Sequence, residues 1–142
     1  MKTPLLFAIA IVLMTVAAHA QKIGASKVPV AVRSAFGKQY PKVKPAWEKE
    51  NGEYEAEFKQ NGVAMSASFD PNGTMKESET GIKITDLPAA VLSYVKMHYK
   101  GKTIGEASKI TKADGAVNYE AEVSGKDVIF DAAGKFIKEA KD

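Results

Sequence analysis

Residues 53–62 read EYEAEFKQNG and residues 118–125 read NYEAEVSG. The shared YEAE alternates apolar residues with glutamate. Side chains of a strand point to opposite faces in turn. Tyr54, Ala56 and Phe58 therefore share one face, and Glu53, Glu55 and Glu57 the other. The flanks show that the repeat is larger than four letters. SKVPVAVRSAFGKQY, starting at Ser26, aligns with TDLPAAVLSYVKMHY, starting at Thr85, at a constant offset of 59. The YEAE strands follow at an offset of 65, and FDPNG from Phe69 meets FDAAG from Phe130 at an offset of 61. Three matches in one order identify two copies of a single unit, about 26–80 and 85–142, with short insertions between matches.

Each copy predicts one helix followed by strands. Val28, Ala31, Val32, Ala35, Phe36 and Tyr40 form the stripe of a helix with one buried face. Leu87, Ala90, Val91, Tyr94, Val95 and His98/Tyr99 repeat it. Ser26 and Thr85 or Asp86 are the expected N-caps, with Pro29 and Pro88 in the first turns. The period then becomes two. Strands are expected near 43–49, 53–60, 63–69 and 74–79, and again near 104–112, 117–124, 126–131 and 135–140. Asn61-Gly62 and Asp70-Pro71-Asn72-Gly73 supply turns. A unit of this size is marginal alone, so the copies should share one sheet or one core. The predicted fold class is α+β: two tandem α-β-β-β-β repeats in an antiparallel sheet, helices on one face and the other face open.

The chain begins MKTPLLFAIAIVLMTVAAHAQK. Lys2, the apolar run Leu5–Val16 and the small-x-small triplet Ala18-His19-Ala20 form a secretory signal, with cleavage expected between Ala20 and Gln21. The apolar run is shorter than the ~20 residues that span a bilayer. No cysteine occurs in the chain, which excludes disulfide exchange, thiol catalysis and cysteine-bound zinc. Without Lys2, nineteen basic and seventeen acidic residues leave a formal charge of +2. Basic and acidic residues are interspersed, which argues against a nucleic-acid binder. The mature chain is expected to be an exported, periplasmic or secreted single domain, monomeric and free of the membrane.

The pattern [ST]-x-[VL]-P-x-A-V, then YEAE, then FDxxG, twice over, resembles the PepSY-like proteins exported by Bacteroidetes-type bacteria, grouped with the β-lactamase-inhibitor-protein-like fold. The resemblance covers about 26–142. It implies a curved antiparallel sheet backed by helices, a periplasmic or extracellular setting, and a role in binding or inhibiting other proteins, peptidases among the suggested targets. The inhibitor proteins use disulfides and present aromatics on the open sheet. This chain has no cysteine, and its open strand face is expected to carry Glu, Ser and Lys, which argues against β-lactamase inhibition.

No constellation for catalysis stands out. His98 is the only histidine after the expected cleavage site, and no nucleophile motif surrounds it. Asp70 to Gly73 and Asp131 lack the full pattern of a calcium loop. Aromatic residues, Trp47 the least certain, fall mainly at core periods. The basic C-terminal stretch GKFIKEAKD, with KGK at 100–102, is offset by interspersed Glu and Asp, as an ordinary solvated surface is. The candidate binding residues are Glu55, Glu57, Glu120 and Glu122, with Lys44 and Lys49 placed to offset them. Carboxylates two residues apart on a strand lie about 7 Å from each other. They suit a cationic peptide or a hard divalent ion, although no cofactor or metal is expected to be built in. The sequence thus points to a non-catalytic module binding a protein or peptide partner, inhibitor-like in mode, through the open face or a strand edge. The alternative is an envelope sensor of a small ligand or cation. N-terminal sequencing of the exported protein should give Gln21-Lys22-Ile23 as its first residues; a start at Met1 would overturn the cleavage assignment.

Overall fold

The computed structural model describes residues 20–141; residues 1–19, which hold all but the last residue of the expected signal peptide 1–20, and Asp142 lie outside the described residues. Strand β1 (Gln21–Ile23) leads through a short 3₁₀ turn (Ala25–Lys27) into helix α1 (Val30–Gln39). Strands β2 (Ala46–Glu50), β3 (Glu53–Gln60), β4 (Val63–Phe69) and β5 (Met75–Gly81) follow. A second 3₁₀ turn (Ile84–Asp86) and helix α2 (Ala89–His98) precede β6 (Ile104–Lys112), β7 (Val117–Val123), β8 (Lys126–Asp131) and β9 (Phe136–Lys141). The nine strands form one antiparallel sheet in sequence order. The α+β class and the repeated α-β-β-β-β unit agree with the sequence reading. β1 is an addition: three residues are too few to show a period of two.

The helix starts differ from expectation. Pro29 and Pro88 occupy the N-cap positions themselves, with φ −53° and extended ψ, and neither helix has a side-chain cap. Ser26 and Thr85 lie instead within the preceding 3₁₀ turns. Proline lacks an N–H and has a fixed φ, and it pushes its predecessor into extended backbone, so the helix begins only after it. The Pro29 carbonyl accepts the Arg33 N–H at 3.1 Å, the first bond of α1.

Two cores share the sheet. In the first, Val32 and Phe36 of α1 meet Trp47, Tyr54, Ala56, Phe58, Ala67 and Phe69. The Phe36 ring makes edge contacts with Trp47 at 5.5 Å and Phe58 at 5.1 Å, a favoured aromatic geometry. Trp47 is thus a core residue. The second core is more aliphatic: Val91 and Val95 of α2 pack on Ala121, Val123, Val128 and Phe130. Between the cores, β5 and β6 present Ser78, Thr80, Lys109 and Thr111 on the helix side, following the register Ser78↔Thr111 and Thr80↔Lys109. The seam is polar there, so backbone pairing rather than a common core joins the halves.

The FDxxG turns fasten each helix to its sheet. The Asp70 carboxylate accepts the N–H groups of Asn72 and Thr74 at 2.9 and 3.0 Å. The Asp131 carboxylate accepts those of Ala133 and Lys135, both at 2.9 Å. These aspartates therefore bond to their own turns, as short polar side chains do. Gly73 has φ +87°, and a Cβ there would lie 2.6 Å from the Ala31 carbonyl oxygen of α1. Gly134 has φ +85°, and its Cβ would lie 2.8 Å from the Ala90 Cβ of α2. Ala31 and Ala90 are equivalent in the repeat, so both halves use the same close contact of turn on helix.

Gly73→Ala and Gly134→Ala should each cost about 1–2 kcal/mol for left-handed backbone, plus a steric cost against the helix. Gly52→Ala, at φ +82° with nothing within 4 Å of its Cβ, should carry the backbone part alone. Thermal melts should place Gly52→Ala above the other two; equal midpoints would remove the contact's role.

Candidate functional site

The strand alternation and register build the open face. Glu55 stands opposite Glu48 of β2 and Ser68 of β4, and Glu57 opposite Ala46 and Ser66. Ser66 and Ser68 in turn face Glu79 and Glu77 of β5. Across the seam Glu77 pairs with Lys112, with which it forms an ion pair, and Gly81 with Ser108. Ser108 faces Glu120 of β7, and Glu122 faces Asp127 of β8. Every residue in these rows lies away from the helices.

This face holds an open cleft of about 1080 Å³. Glu55 and Glu57 from the first repeat and Glu120 and Glu122 from the second all line it. So do residues from each strand from β2 to β8, which requires the sheet to curl toward this face. Three further carboxylates, Glu79, Glu106 and Asp127, join them. The sequence offered a signal for Glu79: Glu77 and Glu79 alternate in β5 as the YEAE glutamates do. Glu106 was harder to see, because the register shifts between Ile104 and Ala107 and breaks the alternation. Lys59 and Lys83 are the cations of the lining, and Ile82 and Ile84 bring apolar surface from the linker between repeats. Ser66, Ser108, Ala64 and Gly81 supply small side chains. A smaller hollow of about 160 Å³ continues the face past Glu55 to Glu53 and Glu77.

Burial pushes the Glu55 carboxyl above its ordinary range; a hydrogen bond from Ser66 opposes this, and Glu57, Glu79 and Glu48 add repulsion. Glu79 is raised likewise by burial, against a hydrogen bond from Ser108 and with repulsion from Glu77 and Glu106. The face is therefore electrostatically loaded, although the chain as a whole is basic at +3. The charge is segregated: neither helix contains an aspartate or glutamate. The open face is not wholly polar. Ile110 and Ile129 lie on it by register, yet are 6% and 7% exposed.

The other candidates have structural roles. The His98 ring stacks on Tyr94 at 3.9 Å, and its Nδ1 lies 3.0 Å from the Tyr94 carbonyl oxygen in the last turn of α2. Lys126 pairs with Glu139 at 2.7 Å. The Tyr99 hydroxyl donates to the same carboxylate, and burial first, then Glu139, pushes this phenol up to about 12. The C-terminal stretch thus ties β9 to its neighbours. Among the described residues, no three His, Asp or Glu side chains form a group that could hold a metal ion.

The raised carboxyls give a pH signature. Folded, Glu55 and Glu79 hold protons that the unfolded chain has released, so stability falls as pH rises from the ordinary glutamate range through the raised values, and stays lower above them. Glu55→Gln/Glu79→Gln should therefore raise the melting temperature near pH 7, and the gain should shrink toward about pH 4, where free glutamate takes up its proton. Melts across this range check it; a gain independent of pH would contradict the burial and repulsion described.

A family model for "Putative beta-lactamase-inhibitor-like, PepSY-like" proteins matches residues 13–77 and 52–138. Among solved structures, a "putative periplasmic" protein from Bacteroides eggerthii is similar at 19% identity and TM-score 0.70, over 79% of this chain and 87% of that one. A DUF2874 family protein from Bacteroides uniformis is similar at 22% identity and TM-score 0.67, over 78% and 87%. A BLIP-like protein from Bacteroides fragilis is similar at 25% identity and TM-score 0.59, over 77% and 82%. No curated protein sequence matches the chain. No helix among the described residues is long and apolar enough to cross a membrane. With two matches that together run from residue 13 to residue 138, the chain belongs to the PepSY-like, β-lactamase-inhibitor-like family.

Proposed function

We propose that this protein is an exported, non-catalytic binding module that takes a protein or peptide partner on its open sheet face. The observation that carries this reading is the cleft: glutamates from equivalent strands of both repeats line one concave surface. Likeness to an inhibitor family supports recognition of another protein rather than turnover of a substrate. The N-terminal signal pattern and the likeness to a structure called periplasmic support export. The face is preferred over the edges. β1 offers only three residues, and β9 carries Lys138, a charge that discourages strand addition. A β-lactamase is not the partner proposed, because the aromatics of both repeats' YEAE strands turn toward the helices and the cleft presents carboxylates.

Changing Glu55, Glu57, Glu120 and Glu122 to Ala should leave the fold intact, since these side chains face away from both cores. The variant should lose most capture of partners from the native envelope fraction relative to the unaltered protein. Circular dichroism checks the fold and quantitative mass spectrometry the capture. Equal recovery of the same stoichiometric partner by both proteins would remove the open-face reading.

A further inference from the structure

The chemistry of the cleft narrows its occupant. This inference rests on the open-face reading above. The cleft takes residues from β2 to β8, a path across seven strands of about 29 Å at the usual strand spacing. Its volume of about 1080 Å³ reaches the upper end of the ~300–1,000 Å³ typical for small-molecule pockets. A chain segment suits this trough better than a compact metabolite. The floor is low along its middle, where Gly81 of β5 pairs with Ser108 of β6 and lies beside Ala64 of β4, so an occupant can approach the sheet backbone closely.

Charge fixes the rest. Glu55, Glu57, Glu79 and Glu122 face Lys59 and Lys83 alone among lining cations, in a molecule whose helices hold no carboxylate. A cationic segment is attracted to this face and repelled by the opposite one, which orients its approach. At the linker side, Ile82 and Ile84 line the same cleft, and Ile84 is 38% exposed. An aliphatic residue held there beside the charged surface is a ready contact for an apolar side chain.

We infer that the open face binds a basic peptide segment carrying a bulky apolar residue, its lysines or arginines over the glutamates of β3 and β5 and its apolar residue against Ile82 and Ile84. The segment lies across the strands and adds no strand to the sheet. Its two contributions are separable, because attraction between partly exposed charges is screened by salt whereas apolar burial is not.

The test titrates the purified protein with three labelled peptides: lysine-rich with a central leucine, the same with serine for leucine, and the leucine peptide with glutamate for lysine. The leucine peptide should bind about tenfold more tightly than the serine peptide, the effect of burying part of one leucine. The glutamate peptide should not bind. Glu57→Gln/Glu79→Gln should weaken both basic peptides at low salt, and the loss should vanish at high salt. Ile84→Ser, at an exposed position outside both cores, should erase the difference between the two basic peptides; its melting temperature verifies the fold. Equal binding of the two basic peptides, or no effect of Ile84→Ser, would overturn the apolar contact and with it this inference. If no basic peptide binds while partner capture still depends on the four glutamates, the inference fails and the open-face reading stands. If capture is also indifferent to the glutamates, both fail.

Discussion

The pairing of β5 with β6 is the constraint on which the rest of the molecule depends. Five residue pairs, from Glu77↔Lys112 to Gly81↔Ser108, join the two repeats through backbone hydrogen bonds. On the helix side this junction is polar, so the two cores do not fuse across it. Without the junction each half would be a small, disulfide-free unit with one helix, near the limit of independent stability. With it, one antiparallel ladder runs from β1 to β9, and the sheet curls into a surface longer than either half could make. The cleft exists because that ladder is unbroken.

The acidity of the open face follows from the same arrangement. A sheet backed by helices on one side spends its apolar alternate positions on that side, leaving the other for polar residues. Strand pairing then brings those residues into rows. Where the rows place glutamates across from one another, as with Glu48 and Glu55, a hydrogen bond from Ser66 on the next strand opposes the repulsion on Glu55, and at the seam Lys112 pairs with Glu77. Glu55 and Glu79 remain harder to ionise than free glutamate. The fold thus tolerates a mildly unfavourable surface, and a partner of opposite charge would relieve it.

Much of this was legible in the sequence because it depends on period. The alternation in YEAE and the helical stripes around Val32 and Val91 reveal which residues turn inward, and the core contains them. The turns were legible because Asp, Asn, Pro and Gly act locally. The helix caps were misplaced: a serine before a helical stripe is a local signal, and Pro29 overrides it by fixing the backbone one residue ahead of the helix. Glu106 and the gathering of seven carboxylates in one cleft depend on register and curvature across seven strands. These are non-local quantities, set by how strands pair and twist, and no window of the chain contains them. Ile110 and Ile129 illustrate the same limit, since they are buried on a face that no helix covers.

The contact of Gly73 with Ala31, repeated by Gly134 with Ala90, has a consequence for how such a molecule can be inherited. Each repeat carries its own lock between helix and sheet, so copying the segment copies a working half together with its fastening. Nothing on the open face takes part in that lock. The two halves can therefore hold the same interior while their outward positions drift apart. Phe69 and Phe130 stay aromatic and fully buried; beside them Ser66 and Ser68 of one half stand where the other has Asp127 and Ile129. Duplication followed by one-sided divergence would turn a symmetrical scaffold into an asymmetrical grip.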